Sequence, residues 1–119
     1  MHRLGVILPS SNTTVELEFS KALQETDVSV HYVRVALRDV TVEGLERMEG
    51  ELEEAAKLLS DARVDTIVFA CTSGSLIKGA GYDEKLAHKI SRAANCPAFT
   101  TSTAVLDALA ALKARRICL

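Results

Sequence analysis

The sequence predicts an α/β domain in which an open parallel sheet lies in three layers, with helices on both of its faces. Two observations lead to this prediction. Short apolar runs typical of buried strands alternate along the chain with helical segments of about ten or more residues, a pattern that parallel sheets produce. The chain has 119 residues, 48% of them hydrophobic and 25% charged, which suits one globular domain around one core.

The first half of the chain contains two predicted strands and two predicted helices. The apolar run LGVIL (4–8) stops at Pro9 and is expected to be a buried strand. SSNTTVELEFSKAL (10–23) has cap residues, acids in the first turn and one apolar side, which indicates a helix. VSVHYVRVAL (28–37) is rich in β-branched residues and predicts a second strand. The segment 41–62 has the apolar spacing of an amphipathic helix, and its acidic side is interpreted as a solvated face.

The next two elements follow the same alternation. VDTIVFAC (64–71) predicts a third strand. YDEKLAHKISRAAN (82–95) predicts a helix with Asp83 as its N-cap.

The end of the chain contains a short predicted strand, CPAFTT (96–101), and a helix capped by Ser102. The last five residues, RRICL, resemble the opening of another buried strand, whereas natural termini tend to be polar. We therefore expect one domain over residues 1–114 and the opening strand of a missing second domain over 115–119. The alternative is that RRICL is a fifth edge strand of a complete small domain.

Composition excludes several classes of function. The formal net charge of −2 and the aromatic content of 4% provide neither a basic stripe for phosphates nor a stacking surface for bases, so nucleic acid is not an expected partner. The apolar runs are far shorter than the ~20 residues of a membrane helix, and no signal peptide pattern is present. A cytoplasmic protein without membrane association is expected. Cys71, Cys96 and Cys118 match no zinc spacing, and their odd number predicts reduced thiols.

Three loops rich in small polar side chains begin at the carboxyl ends of predicted strands: PSSNTT (9–14), CTSGS (71–75) and TTST (100–103). Open parallel sheets bind ligands at these ends. Hydroxyl and amide groups, together with the free N–H groups at helix starts, can hold an anion such as a carboxylate. Neither GxGxxG nor GxxxxGK[ST] is present, which disfavours a dinucleotide or a nucleoside triphosphate.

Cys71 is the candidate reactive group among these loops. Helix starts and hydroxyl donors near a thiol can lower its pKa toward neutrality and raise the thiolate fraction. No histidine lies within ten residues of Cys71, and His31 and His88 are interpreted as structural or solvent-facing. The alternative is a buried structural cysteine, but the polar loops favour a functional role.

Three segments, in this order along the chain, resemble the maleate cis-trans isomerases and the related arylmalonate decarboxylases of the aspartate/glutamate racemase superfamily. They are PSSNTT, VDTIVFACTSGS and TTSTAVLDALAAL, with VHYVRVALRDVT between the first two. The resemblance implies two flavodoxin-like halves with the active site between them, and this chain matches the N-terminal half. The decarboxylases have glycine where Cys71 stands, which favours the isomerase or racemase branch.

The resemblance also implies roles for individual residues. Cys71 matches the first catalytic cysteine, and Ser11 and Asn12 match the substrate-binding loop, in which the asparagine binds a carboxylate. Thr72 and Ser73 match a pair that donates hydrogen bonds to the substrate. The second cysteine of the family lies in the second half, and neither Cys96 nor Cys118 is placed to replace it.

The function implied is isomerisation of maleate, or a similar small cis-dicarboxylate, to fumarate by covalent addition of a thiolate, with no metal or organic cofactor. Two alternatives stay open. The chain can belong to a racemase or decarboxylase of a related acid, or it can be a non-catalytic flavodoxin-like binding or assembly domain. A homo-oligomer is expected because the face that would meet the second half is partly apolar.

Overall fold

The computed structural model describes residues 1–118, which form a single parallel sheet with helices on both sides. The elements in chain order are β1 (His2–Pro9), α1 (Val15–Leu23), β2 (Val28–Val35), α2 (Val42–Asp61), β3 (Thr66–Phe69), α3 (Thr72–Leu76), α4 (Tyr82–Ala94), β4 (Ala98–Thr100) and α5 (Thr101–Ala111). The strand order is β2-β1-β3-β4, and every neighbouring pair is parallel. The predicted three-layer α/β fold is confirmed.

Two apolar clusters hold the layers together, one on each face of the sheet. The larger cluster joins alternate strand residues such as Ile67 and Phe69 to the buried sides of α2 and α4. The smaller cluster contains the intervening residues, such as Val68 and Ala70, with Phe19 of α1 packed against them. Because side chains alternate along a strand, Cys71 belongs to the larger cluster.

Helix α2 is the longest element and begins where the sequence predicts. The Thr41 side chain caps it by accepting a hydrogen bond from the Gly44 N–H at 3.0 Å. Gly44 is buried against the chain that leads into the helix, and a Cβ atom there would lie 2.7 Å from the Asp39 carbonyl oxygen. Glycine at this position lets the loop after β2 pass close to the first turn of α2.

Glu49 departs from the prediction that the acidic side of α2 is a solvated face. Its carboxylate accepts hydrogen bonds from the Tyr82 hydroxyl at 2.5 Å and from Lys78 Nζ at 3.1 Å. Burial raises the pKa of Glu49, but these two hydrogen bonds, together with the positive charges of Lys78 and Lys89, outweigh burial and hold the pKa below its ordinary value. The bonds tie α2 to Lys78, in the loop after α3, and to Tyr82, the first residue of α4.

Two predicted helix caps are wrong. Gly81 is the N-cap of α4, in the left-handed region at φ 81°, and Asp83 lies inside the first turn, where it accepts a hydrogen bond from the Thr103 hydroxyl at 2.8 Å. Thr100 is the N-cap of α5 and accepts from the Thr103 N–H, whereas Ser102 is buried inside the helix. Both errors arise because β4 passes directly into α5 and brings Thr103 toward α4. Helix α3 was not predicted, since five residues are too few to show a period.

The end of the described chain is exposed. Arg115–Cys118 have no regular secondary structure, and Leu119 lies outside the described residues. That residues 115–119 open a second domain therefore stays a prediction. Across residues 1–118, the helices are all too short or too polar to cross a bilayer.

Candidate active site

The five side chains predicted from sequence to form a site line one cleft at the carboxyl ends of β1 and β3. They are Ser11, Asn12, Cys71, Thr72 and Ser73, and the cleft has a volume of about 550 Å³. Thr101, at the start of α5, also lines it. The structure thus brings together the three loops that follow β1, β3 and β4.

Cys71 lies between the end of β3 and the first residue of α3. Its Sγ accepts a hydrogen bond from the Gly74 N–H at 3.4 Å, and the residue is 8% exposed. Burial raises the pKa of the Cys71 thiol, and the hydrogen bond from Gly74 offsets only part of that effect. The expectation of a lowered pKa is therefore wrong for this structure, because desolvation outweighs the single N–H donor.

Gly74 leaves room for the thiol. A Cβ atom at this position would lie 3.0 Å from Cys71 Sγ and 2.7 Å from Met48 Cε. Any larger residue must therefore displace the sulfur or the methionine side chain. Glycine lets α3 turn tightly enough for its backbone N–H to reach the thiol.

Asn12 closes the other side of the cleft. Its Oδ1 accepts hydrogen bonds from the backbone N–H groups of Thr14 and Val15, both at 3.0 Å. Thr14 is the N-cap of α1 and Val15 its first residue, so these bonds hold Asn12 against the start of the helix and fix which end of the amide faces it. The side-chain nitrogen, which carries two hydrogens, remains as the donor that a ligand can use.

A buried pair of hydroxyl groups joins α3 to α5. Ser75 Oγ and Ser102 Oγ are 2.5 Å apart, and both side chains are buried. Each hydroxyl has a single hydrogen to donate, and two backbone carbonyl oxygens compete for these hydrogens. The Cys71 carbonyl oxygen lies 2.9 Å from Ser75 Oγ, and the Thr72 carbonyl oxygen lies 3.3 Å from Ser102 Oγ. At the cleft surface, Thr72 donates to the Thr101 hydroxyl at 3.1 Å. These contacts fix the backbone on which Cys71 and Thr72 sit.

Sequence reasoning missed the roles of Ser75, Ser102 and Thr101. The available signal was that two hydroxyl-rich segments, TSGS and TTST, follow neighbouring strands of the sheet. Parallel strands bring such segments to the same edge, where their hydroxyl groups can pair.

The described residues around the cleft offer neutral donors and no cation. Among residues 1–118, Glu18 is the only charged side chain that lines the cleft. A bound carboxylate would therefore be held by hydroxyl, amide and backbone N–H groups. Within the same described range, no cluster of three or more His, Cys, Asp and Glu side chains is placed to hold a metal ion.

Comparison with known proteins gives the family. A family model described as "Arylmalonate decarboxylase" matches residues 4–119. The chain belongs to the arylmalonate decarboxylase family. Its predicted resemblance to maleate isomerases and arylmalonate decarboxylases is confirmed.

Within the arylmalonate decarboxylase family, this chain is similar to several maleate isomerases. It is 33% identical to the maleate isomerase of Geobacillus stearothermophilus, over 98% of this chain and 51% of the relative. The structure of a variant of the maleate isomerase Iso from Pseudomonas putida S16 with maleate has a TM-score of 0.83 and 32% identity, over 94% of this chain and 49% of that one. The Nocardia farcinica maleate cis-trans isomerase, as a mutant with a covalently bound succinylcysteine intermediate, has a TM-score of 0.88 and 26% identity, with the same coverage. The chain spans about half the length of these relatives.

The reactivity of Cys71 can be measured directly in residues 1–119 alone, with Cys96 and Cys118 replaced by serine. We expect the rate of alkylation by iodoacetamide to rise with pH and to reach half its maximum above the pH found for a free cysteine derivative, because burial raises the pKa of Cys71. Maleate is expected to slow alkylation at every pH by occupying the cleft. A midpoint below that of the free thiol would contradict the burial argument, and alkylation unaffected by maleate would contradict the cleft as an anion site.

Proposed function

We propose that this chain supplies half of the active site of an isomerase that converts maleate, or a similar small cis-dicarboxylate, to its trans isomer. The observation that carries the proposal is that Cys71 lies in one cleft with Asn12, Thr72 and Ser73. The similarity to an isomerase with a covalent succinylcysteine intermediate supports a nucleophilic cysteine. Because the chain spans about half of such relatives, the rest of the site is proposed to come from a second half.

The proposed reaction begins with addition of the Cys71 thiolate to one alkene carbon. A C–S bond forms, and the π electron pair moves onto the other alkene carbon and its carboxylate. The former double bond is now single and can rotate. The electron pair then re-forms the double bond, the C–S bond breaks, and the thiolate is returned. The proposed reaction therefore requires no oxidant, reductant or cofactor.

Neutral donors are proposed to hold the two carboxylates and to stabilise the charge that develops on one of them. The Asn12 side-chain oxygen accepts from the backbone at the start of α1, which leaves the side-chain nitrogen to donate. Thr72 donates to Thr101 in this structure, and a bound carboxylate would accept a hydrogen bond from one of these two hydroxyls. Ser73, exposed beside them, supplies a further donor.

The thiol must lose its proton before it can attack. Burial raises the pKa of Cys71, and no cation among residues 1–118 lines the cleft. We therefore assign the proton acceptor, or the charge that favours the thiolate, to the second half of the site. The second reacting group of the family belongs there as well.

The second half can be a further stretch of chain or a second copy, and exposed apolar side chains support an association of this kind. Val105, Leu106 and Leu112, in α5 and directly after it, are each at least half exposed. Apolar groups gathered on one surface favour contact with another protein surface.

Decarboxylation of a malonate derivative is the second candidate, because the matching family model is described as arylmalonate decarboxylase. It would use the same donors to stabilise the enediolate left when carbon dioxide departs. The two candidates differ in substrate and product.

Proton NMR of maleate incubated with the native full-length protein tests the proposal, with a chelator present and no cofactor added. We expect the maleate vinyl signal to be replaced by that of fumarate. An arylmalonate incubated in parallel tests the second candidate through the appearance of the monoacid. Turnover of the arylmalonate without turnover of maleate would overturn isomerisation in favour of decarboxylation, and turnover of neither would overturn both.

A further inference from the structure

We propose that Arg34 is a positioning residue that holds Asn12 in the orientation needed to bind a carboxylate. The inference rests on the proposed function, in which Asn12 contacts the substrate. Arg34 lies on β2, outside the cleft, and would act through the loop that joins β1 to α1.

The Arg34 guanidinium makes three contacts with this loop and with the helix that follows it. Nη1 donates to the backbone carbonyl oxygens of Ser10, at 3.2 Å, and Asn12, at 2.8 Å. Nη2 forms an ion pair with Glu16 in the first turn of α1, at 2.9 Å. A planar guanidinium with several donors can satisfy these acceptors together, which a lysine ammonium on a flexible stem does less well.

These contacts complete the restraint on Asn12. Its backbone carbonyl is bound by Arg34, and its side-chain oxygen is bound by the Thr14 and Val15 N–H groups. With both fixed, the side-chain nitrogen has one direction in which to donate. Loss of Arg34 removes the donor to the Ser10 and Asn12 carbonyl oxygens, while the Ser10 and Asn12 N–H groups keep their bonds to Val35 and Pro9. The Asn12 peptide can then rotate, and the side-chain amide can leave that direction.

Kinetics of the native full-length protein with maleate test the inference. For Arg34→Ala we expect KM to rise about tenfold or more while kcat changes less than about threefold, since misplacing a binding group weakens substrate positioning without removing the nucleophile. Arg34→Lys keeps the charge opposite Glu16 but lacks the planar fork, and an intermediate KM is expected. Guanidinium ion, far below denaturing concentration, should restore the KM of Arg34→Ala, and ethylammonium should not. Lys21→Ala, which removes an exposed cation from the last turn of α1, is the matched control and should leave KM unchanged.

A second variant distinguishes loss of positioning from electrostatic repulsion as the cause of the raised KM. Removing Arg34 leaves Glu16 without its partner, and a free carboxylate there would repel a dianion. If repulsion were the whole effect, Glu16→Gln would restore the KM of Arg34→Ala, and that result would overturn the positioning role. We expect the double variant to retain the raised KM.

Amide hydrogen exchange tests the role of Arg34 without any assay of activity. The Thr14 and Val15 N–H groups should exchange about tenfold faster or more in Arg34→Ala, because their acceptor, Asn12 Oδ1, is no longer held in place. Amides in the middle of α1 should keep their rates. Unchanged exchange at Thr14 and Val15, or equal acceleration along all of α1, would overturn the inference. If the wild-type protein does not isomerise maleate, the proposed function fails, and exchange at these two amides still decides the role of Arg34.

Discussion

Replacement of Cys71 by serine is expected to abolish turnover of maleate, with kcat/KM reduced about 10⁴-fold or more, because a hydroxyl is a far weaker nucleophile than a thiolate. The fold should be unaffected, since a serine Oγ can still accept the hydrogen bond from the Gly74 N–H. Steady-state kinetics measure the loss. Intact mass spectrometry of the quenched wild-type reaction should show an adduct heavier by one maleic acid, which the variant lacks.

Cys96→Ser is the matched control for this experiment. Cys96 precedes β4 and lies at the opposite end of the sheet from the cleft, so we expect its loss to leave kcat/KM unchanged. Activity of Cys71→Ser within about tenfold of wild type would be too high for loss of a nucleophile. That result would leave Cys71 with only a structural role.

The largest expected effect on stability comes from Phe69→Ala. Phe69 is 1% exposed and belongs to the larger cluster, two residues before Cys71. Removing a fully buried ring is expected to lower the free energy of unfolding by about 3–5 kcal/mol through lost apolar burial and the cavity left behind. Urea denaturation followed by circular dichroism measures the change.

Phe99→Ala provides the matched comparison, because it removes the same side chain from the edge strand β4. Phe99 is 37% exposed, so its loss should lower the free energy of unfolding by only about 1–2 kcal/mol. Equal destabilisation by the two substitutions would contradict the assignment of Phe69 to the core. A larger loss for Phe69→Ala would confirm it.

The order of strands and helices could be predicted from the sequence because it depends on local periodicity. The apolar run of β1 and the repeating apolar positions of α2 are visible without knowledge of the fold. Helix starts were harder to predict, since capping depends on how a neighbouring element approaches. Asp83 looks like a cap, but its carboxylate faces Thr103 from another helix.

The candidate site was partly predictable for the same reason. Cys71 is the last residue of one predicted strand and Asn12 lies in the loop after another, and the carboxyl ends of parallel strands meet at one edge. The contacts of Arg34 depend on how β1 and β2 lie side by side, with Leu8 opposite Arg34, and no local pattern reveals that register. The direction of the Cys71 pKa also needed the structure, because the sequence shows a helix start but not the depth at which the thiol is buried.

The alternation of side chains along β3 constrains how the length of this segment can change. Ile67, Phe69 and Cys71 face one cluster, and Val68 and Ala70 face the other. Insertion or deletion of one residue within β3 would turn the side chains that face the larger cluster toward the smaller one, and the reverse. A residue next to Cys71 would then occupy the position of the thiol. Functional relatives are therefore expected to vary in length in the surface loops, and to keep an unchanged number of residues from the start of β3 to the cysteine.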